Sequence, residues 1–232
     1  MIVNILLACV LTAAGGYLLG SILFGVLISK VLYNDDVRNH GSGNAGMTNV
    51  LRTYGKLPAV FTTIGDVGKS VAAVSLGRFI FDALLSGTGA AWQNPLDPVC
   101  GAYLAAIFCM IGHSRPIFFG FKGGKGVLVG AGAALATEPL VCAVLLVVFL
   151  IEVAITHIVS LGSIIIAALY LLVPSSTSSR TAQACRRLCS ARFVAALWPL
   201  WLSGCTAPTL SGCATGPNTV SDRRSNLSNS TA

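Results

Sequence analysis

Apolar runs long enough to cross a bilayer alternate with short polar connections over the first three quarters of the chain, and this alternation sets the expected architecture. A helix needs about 20 apolar residues to span. Residues 3–28 are the first candidate, with Gly15, Gly16, Gly20 and Gly25 offering small surfaces for close helix contact. A polar connection runs from Asn34 to Lys56, and the next candidate, 57–80, carries Asp66 and Lys69 among apolar neighbours. After a Gly/Ser/Asn-rich connection from Asp82 to Asp97, a third candidate, 98–112, leads into a polar stretch at 113–126. Residues 127–157 are apolar for too long to be one helix. Glu138-Pro139 interrupts them, because proline removes a backbone donor and clashes with the preceding turn. Spans are expected there at 124–137 and 139–157, with a sixth starting near Ser160.

The pattern changes at Pro174. A sixth span would have only about 14 residues before this proline, and the apolar segment Ala195–Leu202 is also too short to span. Ser/Thr/Arg/Cys-rich sequence fills much of the rest, and Ser221–Ala232 reads as disordered. The expected division is a transmembrane bundle over 1–173 and an aberrant, largely disordered tail over 174–232.

Composition fixes the class. Of 232 residues 54% are hydrophobic and 10% charged, with a mean hydropathy of +0.79, whereas a soluble domain carries about 25% charged residues. The fold class is all-α, a polytopic transmembrane helical bundle. The net charge of +7 does not indicate a nucleic-acid partner, because residues 174–232 hold six Lys/Arg against one Asp and so carry most of it. Lys and Arg in short loops set orientation. Arg38, Arg52 and Lys56 lie in one polar connection and Arg115, Lys122 and Lys125 in the other, whereas 82–97 has none. Both stretches are therefore expected on the cytoplasmic face, with the N-terminus outside. Met1 to Cys9 lacks a positive segment, so the first span reads as retained rather than cleaved. The eight Cys lack paired zinc spacing and imply neither metal nor disulfides.

Two glycine-rich stretches carry the candidate chemistry. In Gly41-Ser42-Gly43-Asn44-Ala45-Gly46-Met47-Thr48-Asn49-Val50-Leu51-Arg52, glycines permit backbone N–H groups to converge on one concavity. Ser42, Asn44, Thr48 and Asn49 add neutral polar groups, and Arg52 can grip phosphate oxygens bidentately. A solvated interhelical loop is the plain alternative. The second stretch, Gly112-His113-Ser114-Arg115-Pro116 through Lys122-Gly123-Gly124-Lys125-Gly126-Val127, opens an apolar helix, where free N–H groups and Lys125 suit an anion. It is not a Walker A loop, since Phe119 stands at the first glycine position and Gly126 at the Ser/Thr position. A basic loop on anionic headgroups is its alternative. His113 is a candidate base or donor at the membrane edge, and His40 and His157 lack a supporting pattern. Asp66 and Lys69 stand at i and i+3 and can pair on one helix face. No Ser-His-Asp or Cys-His arrangement is visible, and no carboxylate cluster suits a metal.

GSGNAGMTNVLRTYGK and GHSRPIFFGFKGGKGV resemble the first two motifs of the bacterial acyl-phosphate:glycerol-3-phosphate acyltransferases. Gly20-Ser21-Ile22, Asp36-Val37-Arg38 and Ser160-Leu161-Gly162-Ser163 are lesser matches, and the similarity covers roughly residues 10–173. Met47 departs from the usual Ala, Leu23 from Pro, and Leu128-Val129 from Ala-Thr. The resemblance implies seven spans in a bacterial inner membrane, about six of them present here, with the site at the cytoplasmic face. It implies transfer of a fatty acyl group from acyl phosphate to the 1-hydroxyl of glycerol 3-phosphate, giving lysophosphatidate without metal or cofactor. Enzymes supplying acyl phosphate are implied partners. Ser42, Arg52 and His113 are the implied catalytic residues. Gly43, Asn44, Gly46, Thr48, Asn49, Gly123, Gly124, Lys125 and Gly126 are the implied substrate-binding residues.

The family's third motif resembles HRxNIxRLxxGxE, and nothing in 174–232 matches it. Shifted two nucleotides on, the codons for CTAPTLSGCATGPNTVS can read HRTNIIRLRHGTEYRF. The last two bases of each shifted codon are fixed by the sequence, and only the first comes from a wobble position. The expectation is a frameshift near residue 174 that removes the seventh span and third motif and impairs activity. An anion transporter would place discontinuous helices near the midplane in repeated halves, and no internal repeat is visible. A non-catalytic membrane protein would leave both motifs unexplained.

Overall fold

A computed structural model describes residues 2–85, 98–156, 162, 165, 166 and 168–170. Every regular element among them is helical. In chain order these are α1 (Ile2–Gly20), α2 (Phe24–Tyr33), α3 (Met47–Tyr54), α4 (Lys56–Leu85), α5 (Pro98–Ser114), α6 (Val127–Thr137) and α7 (Pro139–Thr156). Four helical segments are long and apolar enough to cross a membrane: Ile2–Tyr33, Lys56–Leu85, Pro98–Phe119 and Pro139–Thr156. Pro98 and Pro139 each open their helix, where the missing N–H costs nothing.

Three expectations change. The first span is broken at Ser21-Ile22-Leu23 instead of running straight over 3–28. The span expected at 124–137 is a helix of 11 residues, Val127–Thr137, about 16 Å long and so about half the hydrocarbon thickness. Its start is delayed because 122–126 forms the glycine loop instead of a first helical turn. Cys100 is disulfide-bonded, where no disulfide was expected. Of the sixth expected span, Gly162, Ile165, Ile166 and Ala168–Tyr170 are described, all helical. The seventh span and the tail over 174–232 lie outside the described residues.

α5 packs on α1, α4 and α6. Lipid tails are as apolar as leucine, so burial alone does not drive these contacts, and close backbone approach supplies the attraction instead. A Cβ at Gly20 would collide with the Cys109 carbonyl, and one at Gly112 with the Tyr17 carbonyl. Gly77 and Gly101 bring α4 and α5 together in the same way. The Tyr17 hydroxyl then donates to the Arg115 carbonyl at 2.9 Å, fixing α1 to the connection after α5.

The break in the first span frees backbone groups that must be satisfied at bilayer depth. α4 supplies both partners. Lys69 Nζ donates to the Ile22 carbonyl at 2.6 Å, and the Asp66 carboxylate sits beside the Phe24 N–H. Asp66 and Lys69 lie 2.7 Å apart, and both are buried. Paired with each other and with this backbone, the two charges are tolerated where either alone is costly.

Candidate functional site

The first glycine-rich stretch is shaped by one amide. Asn49, buried under the loop, has Nδ2 within hydrogen-bonding distance of the carbonyls of Val37 (2.9 Å), His40 (3.0 Å) and Asn44 (3.0 Å). Its Oδ1 accepts the Ser42 N–H at 3.1 Å. Gly41 and Gly43 take left-handed backbone at φ 55° and 69°, which lets the chain curl round this amide. The Asn44 side chain accepts from the Gly46 N–H at 3.0 Å, and Thr48 sits half-buried in the first turn of α3. Ser42 and Arg52 are left exposed on the outer side. Among the described residues, neither the Ser42 hydroxyl nor the Arg52 guanidinium has a hydrogen-bond or ion-pair partner.

A second cluster anchors the entry to this loop. Asp35 Oδ2 lies 2.6 Å from His40 Nε2 and accepts from the Tyr54 hydroxyl at 2.9 Å, while Tyr54 stacks on Tyr33 at 4.4 Å. The Tyr54 hydrogen bond holds the Asp35 carboxyl below its usual range. Burial, aided by that carboxylate, pushes the Tyr54 phenol up to about 12.

Arg38 joins the two stretches. Its guanidinium meets the Asp36 carboxylate through two hydrogen bonds, of 2.9 and 2.7 Å, and Nη1 donates to the carbonyls of Phe119 (2.9 Å) and Lys122 (3.1 Å). The guanidinium holds the Asp36 carboxyl below its usual range, and the carboxylate raises Arg38. The two polar connections therefore meet at one end of the bundle. Both carboxylates of the first connection have partners there, and Arg52 does not.

The second stretch is folded over His113, which is only 3% exposed. The Gly124 N–H donates to the His113 carbonyl at 3.1 Å. A side chain at Gly123 would collide with that carbonyl, one at Gly124 with the imidazole, and one at Gly126 with Met110. Gly126 precedes α6 with φ 76°, so the α6 N-terminus opens onto this loop, and Lys125 sits half-buried within it. On its inner side, His113 Nδ1 lies 2.9 Å from Lys69 Nζ and 3.7 Å from Asp66 Oδ1. Gly120 and Phe121 both hold left-handed backbone just before Lys122, an uncommon state for a bulky residue such as Phe121.

A family model described as "Glycerol-3-phosphate acyltransferase" matches residues 10–202. The chain belongs to the glycerol-3-phosphate acyltransferase family. A glycerol-3-phosphate acyltransferase of Clostridioides difficile (strain 630) is 43% identical over 156 residues, 67% of this chain and 72% of that protein. One from Neisseria meningitidis serogroup C / serotype 2a is 41% identical over 160 residues, 67% and 74% of the two chains. Among solved structures, PlsY (YgiH), an integral membrane glycerol 3-phosphate acyltransferase, superposes in its glycerol 3-phosphate form with a TM-score of 0.63. It is 29% identical, with 84% of this chain and 92% of that one covered. Its lysophosphatidic acid form gives a TM-score of 0.61 at 27% identity.

The all-helical membrane class and the acyltransferase assignment thus agree with the sequence reading. The motif residues divide by position. Ser42, Gly43 and Arg52 are exposed, Asn49 and His113 are buried, and Gly123, Gly124 and Lys125 lie between. Residues that the sequence motifs did not single out are Arg38 as the tie between loops, Lys69 beneath His113, and Tyr17 behind Arg115. An Asp-x-Arg pattern at 36–38 and a bilayer-depth lysine were the available signals. Among the described residues, no group of three or more His, Cys, Asp or Glu could hold a metal ion.

Proposed function

We propose that this protein transfers a fatty acyl group from acyl phosphate to the 1-hydroxyl of glycerol 3-phosphate at the face carrying both glycine-rich loops. The observation that carries the reading is Arg38, which ties the Ser42–Arg52 loop to the Lys122–Gly126 loop in a chain of this family. The two loops then offer one basic, N–H-rich surface to two phosphates. Acyl phosphate is already activated, so the protein's task is mainly to neutralise and align its substrates. The 1-hydroxyl oxygen attacks the acyl carbon, the bond from that carbon to the phosphate oxygen breaks, and phosphate leaves. The hydroxyl proton passes to a substrate phosphate, so no protein base is required. Ser42 and Arg52 grip and orient at the open side. Gly123, Gly124, Lys125 and Gly126 hold phosphate, with His113 beneath them. Asn49 shapes the first loop from inside, while Gly43, Asn44, Gly46 and Thr48 form its wall.

In this reading the loops face the cytoplasm of a bacterial inner membrane and the N-terminus lies outside, as the Lys/Arg distribution favours. Acyl phosphate comes from an enzyme that phosphorylates or phosphorolyses an acyl group. The tail bears on activity, because permissible codons for residues 205–221, read in the shifted frame, give a His/Asn-bearing third motif. We propose that the present tail impairs turnover. The test is formation of labelled lysophosphatidate from acyl phosphate and labelled glycerol 3-phosphate in membranes holding this chain or its frame-restored version. Product from the restored chain and little from the present one is expected. No product from the restored chain would refute the function, and equal rates would refute the impairment. The broken first span would also suit an anion transporter, but Asp66 and Lys69 satisfy its freed backbone groups from inside the bundle.

A further inference from the structure

We propose that Lys69 is a positioning residue for the phosphate loop, acting through His113; the proposal deepens, and rests on, the acyltransferase reading above. An ammonium group has three donors and no acceptor. Its 2.9 Å contact with His113 Nδ1 therefore requires that nitrogen to accept. The imidazole is thus the neutral tautomer, with its proton on Nε2. Nε2 lies directly under Gly124, where a side chain would collide with it. The backbone above is bonded to the same residue, through the Gly124 N–H and the His113 carbonyl at 3.1 Å.

Lys69 is itself locked. It contacts Asp66 at 2.7 Å and donates to the Ile22 carbonyl at 2.6 Å. The ammonium is thereby held between a carboxylate, the break in the first span and the imidazole. Asp66 sits beside the Phe24 N–H on the far side of the break. A line of contacts therefore runs from the broken first span, through α4, to the ring on which the glycine loop rests. The glycines carry no side chains of their own to fix the loop, so its shape is set by this support. A purely structural ion pair would need only Asp66, Lys69 and the Ile22–Phe24 backbone. The third contact, to His113, is what links the pair to the site.

The test uses the full chain in detergent, labelled with 15N at histidine and glycine, His113 being assigned through His113→Gln. Wild-type His113 should show an unprotonated Nδ1 and a protonated Nε2; the reverse tautomer overturns the proposal, however the variants behave. The double variant D66N/K69M removes both charges, so neither is left buried alone. It leaves the Ile22 carbonyl without its Lys69 donor, so it should lose some stability, but less than Lys69→Met alone, and still fold. Its His113 ring and Gly123–Gly126 amide resonances should nevertheless move, and its affinity for glycerol 3-phosphate should fall about tenfold to a hundredfold, as for loss of a hydrogen bond to a charged group. Wild-type resonances and affinity in the folded double variant would show a structural pair and overturn the proposal. If wild type shows the expected tautomer and the double variant moves the loop, but wild type binds no glycerol 3-phosphate, the positioning role stands and the acyltransferase reading falls.

Discussion

The two glycine-rich stretches look alike in sequence but are held by different means. The first is organised from within. Asn49 gathers the carbonyls of Val37, His40 and Asn44, and glycines at positive φ let the chain curl round it. The second is organised from beneath. Gly123 and Gly124 lie against His113, which rests on a lysine from the interior of α4. Glycine thus serves conformation at Gly43 in the first loop and close approach at Gly123 and Gly124 in the second, while Gly41 and Gly126 do both. The first loop should fail locally when altered, and the second should fail together with the helices under it.

The largest expected effect follows from Lys69→Met alone. It leaves Asp66, 1% exposed, without its partner, and breaking a buried pair in this way costs about 3–5 kcal/mol. Thermal unfolding in detergent should fall sharply. Asn49→Ala comes next. It removes the hydrogen bonds to the Val37, His40 and Asn44 carbonyls and from the Ser42 N–H, at about 0.5–1.5 kcal/mol for each bond lost. Hydrogen exchange should accelerate over residues 40–50 while the transmembrane helices keep their protection. Acceleration throughout would erase the contrast between the loops.

Asparagine scanning sharpens the comparison. Gly43 takes φ 69° with no closer neighbour than the Arg38 carbonyl at 3.5 Å. Asparagine visits that backbone region readily, so Gly43→Asn should cost less than about 1 kcal/mol. Gly124→Asn must displace the His113 ring and should cost about 1–3 kcal/mol, as overpacking does. Equal costs, measured by unfolding midpoint, would refute the division.

The smallest effect is on pH. Arg38 lowers the Asp36 carboxyl below its ordinary value of 3.8. A lowered carboxyl gives stability that is present above its unfolded value and lost as pH falls through the lower folded value. The tie between loops should therefore be constant from neutral pH to about 4 and weaken below that. Asp36→Asn should lower glycerol 3-phosphate affinity at neutral pH and abolish this acid dependence.

Much of the architecture was legible because bilayer thickness imposes length on apolar runs, and Pro98 and Pro139 mark helix starts. The break at Ser21-Ile22-Leu23 was not. These residues are small or apolar, and the groups that stabilise the break, Asp66 and Lys69, stand more than 40 positions away. The shortness of α6 was hidden because Gly123-Gly124-Lys125-Gly126 adjoins an apolar run without a polar boundary. In the candidate site, the density of glycines and the basic Arg52 were readable by residue type. The division between exposed Ser42 and buried Asn49 did not, since both are small polar residues in one loop and only the fold decides which turns inward.

The central claim is that both loops act as one phosphate-binding surface, and Arg38 is where they join. Equilibrium binding of labelled glycerol 3-phosphate to the purified chain, wild type against Arg38→Met, tests it most directly. Arg38→Met removes the bonds to Asp36, Phe119 and Lys122 and should weaken binding about tenfold or more, as for loss of hydrogen bonds to a charged group. Affinity equal to wild type in a folded variant would contradict the account.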